Sequence, residues 1–562
     1  MVVAKTLKEY TFSRHEQLKK DRNEYEYDWR ELADFVLGNR GQFLVNERDT
    51  DTRKKGSRRN ERLYNETAKQ AADILSAGMM AGITSPARPW FKLGTPDPEL
   101  QEFAPVKLWL DDVQRILLQI FARSNFYNAM QNVYLELGTF GTHSMGAYEQ
   151  FENVMRFEPY TIGSYWLAQN GEREVDTQYR EYQIPVGAAA KMFGKEQLSK
   201  AAQQVCDRGN IDTRIGILHA IEPNDERRFD SPFAQDMPYR SVYYEKDDSR
   251  KDHALKVSGF NEKAFMAPRW SAVGEDVYAS ACPGLDSLAS NKSLQIEELD
   301  KAIAIEKMHN PPLVGDTVLR QAGVDQIAGG ITYVPGMMNG AKPGLSSVYD
   351  VNPRIAELME DIREKENRIQ RFFYVDLFLM VTEMDRAQIT ATEIAERKEE
   401  KMLMLGPVLE RLNNELLDPV IDRTYARAEE AGILPPPPEE LQGLDLRVEY
   451  ISVLAQAQKA VSTASIESTV AFAGNLAAIW PESRHKIDPM QAIDDYARAK
   501  GASPKIIRSD DDAQEFADQE AQMQQLQQAA SMGMGAVDAA KTASETAVGD
   551  ESALEQLAGA LQ

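Results

Sequence analysis

The stretch ERLYNETAKQAADILSAGMMAGITSPARPWFKL, residues 61–93, constrains the fold more than any other part of the chain. Ala71, Ala72, Ser76, Ala77, Gly78, Ala81 and Gly82 fall in one helical segment. Each Gly in a helix interior costs about 1 kcal/mol relative to Ala, so Gly78 and Gly82, four apart on one face, imply that another backbone comes close. The helix is expected to end near Gly82, ahead of Pro86 and Pro89, with Trp90 and Phe91 sealing its end. Spacing alone leaves open whether the face carrying Ala71, Gly78 and Gly82 packs inside the chain or against another copy.

At 562 residues the chain exceeds the size of one hydrophobic core, so two to four structural units are expected. Cys206 and Cys282 are too few for a disulfide framework, and 21 methionines fit a reducing, intracellular origin. The most apolar run, FFYVDLFLMV at 372–381, is interrupted by Asp376 and falls short of the roughly 20 residues of a membrane helix, and the opening MVVAKTLKEY has no signal-peptide core. No membrane partner is expected. A net charge of -24 argues against a surface that grips nucleic acid, though not against DNA passing nearby.

Along the chain, Leu7, Tyr10, Leu18, Trp29, Leu32, Ala33 and Val36 predict a helix from Thr6 to Gly38. The basic run Arg53, Lys54, Lys55, Arg58, Arg59, Arg62 lacks aromatics for base stacking and reads as a solvated loop. Helices are expected from Pro105 to Arg123 and from Phe126 to Leu137. After Gly138, the segments SMGAYEQF, VMRFEPY, IGSYWLAQ, REVDTQYREYQI, RIGILHAIEP and YRSVYYEKD read as strands, being short, rich in Tyr, Val and Ile and bounded by turn residues. Asn170-Gly171 is expected at a two-residue hairpin turn, and VGAAAKMFGKEQLSKAAQQVC as a helix between strands. Further helices are expected over 287–308, from Pro353 through 381, and over 392–430 with a kink at Gly406-Pro407; a glycine-rich piece with two short strands separates the first two. Pro435 to Pro438 form a rigid separator, LRVEYIS a strand, and the rest is helical. Residues 509–562 hold eleven acidic side chains against Lys541 alone, a solvated helix or partly disordered tail. The fold class is mixed α+β, predominantly helical.

The search for chemistry returns negatives. No GxxxxGK[ST] loop is present, and the six histidines lie far apart without metal-ligand spacing. GTHSMG at 141–146 has two residues rather than one between the first glycine and Ser144, unlike a nucleophile elbow. Asp510, Asp511 and Asp512 read as a solvated acidic run rather than a cation site. Asn65 and Asn291 head glycosylation sequons that mean nothing without secretion. Catalytic residues, metal ligands and cofactors are none.

Three blocks in order resemble the head-to-tail connector, or portal, proteins of short-tailed bacteriophages. They are HEQLKKDRNEYEYDWRELADFVL with its NRGQF turn, then LYNETAKQAADILSAGMMAGITSPARPWFKL, then ITATEIAERKEEKMLMLGPVLERLNNELLDPVIDRTY with Thr-Ala-Thr-Glu, Leu-Gly-Pro and Glu-Leu-Leu-x-Pro. Leu37-Gly38-Asn39 stands where the family commonly has a proline before that turn. The resemblance implies a homo-oligomeric ring of twelve subunits at one capsid vertex of the virion, assembled in the host cytoplasm. Double-stranded DNA would pass without sequence specificity in packaging and ejection. Partners would be the terminase packaging motor, tail or adaptor proteins, and capsid and scaffolding proteins. Portal-type architecture would give a wing (1–286), a stem helix (287–310), a small α/β clip (311–349), the returning stem helix (350–381), a channel loop (382–391), a wing helix (392–434) and a helical crown with its acidic tail (435–562). Arg386 in the loop and Lys342 in the clip would face DNA, although Arg386 could instead pair with Glu383 or Asp385. Within this frame the face of Ala71, Gly78 and Gly82, with Trp90 and Phe91, is assigned to the intrachain core in preference to a subunit contact. Competing readings are another virion assembly protein, such as a scaffold or internal protein, and a metal-dependent nuclease or hydrolase hidden in the middle region.

Overall fold

A computed structural model describes residues 6–44, 63–97, 100–101, 103–309, 313–314, 346–347, 355–383, 405–441, 446–450, 468–476 and 488–500, with isolated positions between 480 and 552. It is a mixed α+β protein in which helices predominate. The chain divides into two compact units, the first from the described residues of Met1–Trp90 and Arg115–Leu434, the second from those of Phe91–Gln114, Pro435–Ile451 and Lys459–Gln562.

The first unit opens with α1 (Leu7–Phe35), whose start is fixed by a capping box: Thr6 accepts from the Glu9 N–H while the Glu9 carboxylate accepts from the Thr6 N–H. Helices α2 (Thr67–Gly82), the C-terminal part of α3 (Ala104–Arg123) and α4 (Phe126–Phe140) follow. Strands β2 (Ser144–Gln150), β3 (Val154–Tyr160) and β9 (Phe265–Met266) make a three-stranded antiparallel sheet in the order β3-β2-β9. A five-stranded antiparallel meander holds β4 (Tyr165–Gln169), β5 (Val175–Pro185), β6 (Arg214–Pro223), β7 (Tyr239–Glu245) and β8 (Lys256–Phe260) in chain order.

Period-two alternation gives the meander two buried faces. On one, Tyr179, Leu218, Ala220, Val242 and Tyr244 pack with Leu18 of α1. On the other, Ile217 and Tyr243 pack with Val186, Ala189, Phe193 and Ala202, supplied by α5 (Val186–Phe193) and α6 (Lys200–Asp207). The outer edge of β3 is occupied: Asn125 accepts from the Phe157 N–H (2.9 Å) and donates to the Phe157 carbonyl (2.6 Å), and Pro159 brings no N–H.

The unit continues through α7 (Pro283–His309), the two-residue strand pair β10 (Leu313–Val314) and β11 (Ser346–Ser347), α8 (Ile355–Phe372) and α9 (Val375–Glu383). Helical residues 405–412 then lead through a π-helical turn, Asn413–Leu417, into α10 (Asp418–Glu430). Pro419 has no N–H to give the Glu415 carbonyl, and the ladder loosens around it. In the second unit, β1 (Phe91–Gly94) pairs antiparallel with β12 (Arg447–Tyr450), and Trp109 Nε1 donates to the Pro435 carbonyl (3.0 Å). This unit also holds α11 (Pro489–Lys500) and the strand pair β13 (Ala547–Val548) and β14 (Glu551–Ser552) within the acidic tail.

Three local expectations are corrected. The Asn170-Gly171 hairpin is a longer turn in which the Asn170 carboxamide accepts from the Glu172 and Glu174 N–H groups, and Arg173, not Gly171, takes positive φ (66°). The expected helix 186–206 is split by Gly194 (φ 91°) into α5, a short 3-10 turn and α6. The expected continuous helix through 381 is broken after Phe372, with Tyr374 at φ 56°. The basic run 53–62, the Thr-Ala-Thr-Glu block 390–393 and the start of the 392–430 helix lie outside the described residues.

Candidate functional site: the small-residue helix and its junctions

Helix α2 buries Ala68, Ala71, Ala72, Leu75, Ser76, Met79 and Gly82. Two helices of the same chain lie against it. A Cβ on Gly138 of α4 would lie 2.4 Å from Leu75 Cδ2, and Ser76 Oγ donates to the Gln131 carbonyl (2.8 Å), so α4 runs against one side of α2. A Cβ on Gly78 would lie 2.2 Å from Phe378 Cγ and Cδ1 and 2.6 Å from Phe378 Cβ, so α9 fills the other. A third close approach supports α4 from behind: a Cβ on Gly284, in the first turn of α7, would lie 2.0 Å from the Thr139 carbonyl oxygen. Ala77 and Ala81 stay exposed.

Both ends of α2 are held by the residues of the second quoted block. At its entrance, Gln295 of α7 accepts from the main-chain N–H groups of Tyr64 (2.7 Å) and Asn65 (2.9 Å) and donates to the Asn65 carbonyl (2.9 Å) and to Asn291 (2.9 Å). Asn291 donates to the Phe35 carbonyl at the end of α1 (2.8 Å). The Asn65 side chain accepts from the Thr67 N–H (2.8 Å) and donates to Glu366 of α8 (2.8 Å) and Glu298 of α7 (3.3 Å). Tyr-Asn-Glu-Thr is thus a knot joining α1, α2, α7 and α8, and both sequon asparagines are engaged in it. Lys365 of α8 pairs with Glu297 of α7 beside this knot. At the exit, Thr84 Oγ1 shares a hydrogen bond with Tyr134 OH (3.0 Å), and the buried Trp90 stacks on Phe126 (6.0 Å, 11°) and lies against Phe121 (5.8 Å). Phe91 is fully buried in the second unit.

The other blocks also become contacts. Arg40 of the NRGQF turn approaches the fully buried Glu136 (3.4 Å) and donates to Asn132 (2.7 Å). The other Glu136 oxygen meets His143 Nδ1 (3.1 Å) and accepts from the Ile162 N–H (3.0 Å). Ser144 is buried and donates to Gln178 (3.1 Å), with no histidine as its partner in that bond. In Glu-Leu-Leu-x-Pro, the Glu415 carboxylate takes the guanidinium (2.7 Å) and the main-chain N–H (2.8 Å) of the buried Arg269. Burial pushes the Cys282 thiol up to about 12, and that side chain donates to the Thr139 carbonyl (3.3 Å).

Gln295, Asn291, Glu366 and Arg269 carry no periodic signal in the sequence and are found only through these contacts. Among the described residues, no three His, Cys, Asp or Glu side chains gather as they would around a metal ion. No described helix is long and apolar enough to cross a membrane.

A family described as "Bacteriophage head to tail connecting protein" matches residues 9–507. The chain belongs to this family. It is 41% identical over 558 residues to the portal protein of Salmonella phage epsilon15, covering 99% of each chain. It is also 41% identical over 544 residues to the probable portal protein of Bordetella phage BPP-1, covering 96% of each. The connector knot at Asn65 and the Arg269–Glu415 pair both fall inside the matched span. Two positions assigned to the DNA path, Arg386 and Lys342, lie outside the described residues.

Proposed function

We propose that the chain forms a ring of twelve copies at one capsid vertex, through which double-stranded DNA enters during packaging and leaves during ejection. The observation that carries this is likeness to two phage portal proteins over nearly the whole of each chain. The described geometry supports it. Helices α7 and α8 lie side by side and expose Ile296, Leu299, Ile303, Ile305, Met308, Met359 and Phe372, apolar surface suited to a neighbouring copy.

In this reading residues 1–286 and 392–434 are the wing, 287–310 and 350–381 the two-helix stem, 311–349 the clip, 382–391 the channel loop and 435–562 the crown. The clip and adjoining surfaces meet the terminase motor first and tail or adaptor proteins later; the wing meets capsid and scaffolding proteins. The ring is a conduit without catalysis of its own. DNA carries about one charge per 1.7 Å of axis, and a basic tunnel would hold it by counterion release. A chain of net charge -24 lets it slide, with Arg386 and Lys342 among the few cations toward the duplex.

Negative-stain images of the purified full chain test the reading: face-on rings with a central hole are expected, and a monomer under every assembly condition overturns it. Arg386→Ala is expected to impair packaging or DNA retention while rings still form; normal packaging removes Arg386 from the channel.

A further inference from the structure

We propose that the junction of α8 and α9 is a two-state joint, bent at Tyr374 in this structure and able to straighten into one continuous helix. From Ile355 to Glu383 the sequence contains no Gly or Pro, so its local preference is an unbroken helix. Yet α8 stops at Phe372, α9 starts at Val375, and Tyr374 between them sits at φ 56°, in the left-handed region where a bulky side chain is rare. Tyr374 serves both helix ends. Its N–H donates to the Arg371 carbonyl (3.1 Å), and its carbonyl accepts from the N–H groups of Leu377 (3.0 Å) and Phe378 (3.2 Å).

What holds the bend comes from elsewhere in the chain. Phe378 fills the groove left by Gly78, the Tyr374 ring faces Trp270 (6.3 Å, 32°), and Phe373, Val375, Leu377 and Phe378 are all buried. A strained residue of this kind persists only while its surroundings over-determine it. The conflict between local and tertiary preference is confined to one residue, which gives two discrete arrangements rather than a continuum. In the first, Tyr374 is left-handed and Phe378 is seated on Gly78. In the second, Tyr374 is helical and Phe378 is withdrawn.

The test is a distance measurement by pulsed electron spin resonance on the full chain, carrying Cys206→Ser with spin labels at Glu360→Cys and Leu379→Cys, diluted in unlabelled chain. A continuous helix separates these positions by about 29 Å, at 1.5 Å per residue, and the bend makes the separation shorter. The chain without further substitution is expected to give mainly the shorter distance. Phe378→Ala is expected to shift the distribution to about 29 Å, and adding Tyr374→Gly, which removes the penalty on the left-handed conformation, to restore the shorter one. Far-UV circular dichroism checks that each variant is folded. A shorter distance unchanged by Phe378→Ala, or a broad distribution without a population near 29 Å, overturns the proposal.

Discussion

Placing a methyl group on Gly78 tests whether the small-residue helix is an internal packing element. The new Cβ would lie 2.2 Å from two atoms of the Phe378 ring, where carbon atoms in contact sit about 3.5–4.0 Å apart, and 2.6 Å from the Phe378 Cβ, which no rotation of the ring removes. Helix α9 must therefore retreat by about 1 Å or more. Overpacking of this kind costs about 1–3 kcal/mol, against which the gain in helix propensity from Gly to Ala returns about 1 kcal/mol. Gly78→Ala is expected to destabilise the chain by about 1 kcal/mol, and Gly78→Leu by considerably more. Phe378→Ala alone empties a buried aromatic site at a cost of about 3–5 kcal/mol. In that background Gly78→Ala no longer meets the ring and keeps only the 2.6 Å approach to the Cβ that remains at position 378, so its cost is expected to fall well below that in the unsubstituted chain.

Urea unfolding of the unassembled full chain, followed by near-ultraviolet circular dichroism, measures all four corners of this cycle. If Gly78→Ala costs the same with and without Phe378, the two residues are uncoupled and the reasoning fails. If Gly78→Leu leaves the single chain as stable as before and abolishes only ring formation, the Gly78 face is a subunit contact instead.

Two further perturbations probe other parts of the first unit. His15 is buried edge-on to Trp166 (4.4 Å), and burial, reinforced by Lys19, Lys246 and Arg22, lowers its folded value from 6.5 to about 3. Because the folded value is depressed, the stability it confers is complete above about pH 6.5 and is lost as pH falls toward 3, amounting to about 2 kcal/mol lost by pH 5; His15→Phe is expected to flatten the fall in melting temperature between pH 7.5 and 5, and an unchanged fall refutes the assignment. Gln295→Leu leaves the part-buried Tyr64 and Asn65 N–H groups without their acceptor, at about 1 kcal/mol for each lost hydrogen bond, and hydrogen exchange at residues 63–67 is expected to accelerate; unchanged protection there would show that the knot does not depend on Gln295.

Much of the fold is legible because periodicity reports burial. The helix of Leu7 to Val36, the pair of helices before Gly138 and the Tyr-rich strands all appear near their expected places. The misses share one cause, which is that side chains or distant elements override a local rule. Asn170 uses its own carboxamide to build a longer turn, so the Gly beside it is not needed at positive φ. Nothing within 372–381 announces a break, since the contacts at Tyr374 and Phe378 come from Trp270 and Gly78. The quoted blocks could be ordered from sequence, but their physical content could not: Asn65 and Glu415 matter through Gln295, Glu366 and Arg269, polar residues that follow no period and meet only in three dimensions.

The carboxamide of Asn125 on the rim of β3 has a consequence for a protein made in many copies. A sheet border with free donors and acceptors invites a second chain to add a strand, and such mispairing competes with ordered self-assembly most strongly when nascent subunits are concentrated. By taking both main-chain groups of Phe157, with Pro159 silent two residues on, Asn125 turns that border into a surface that offers no template there. Asn125→Ala is then a substitution whose damage would surface as amorphous precipitate during expression, before any defect in the finished particle.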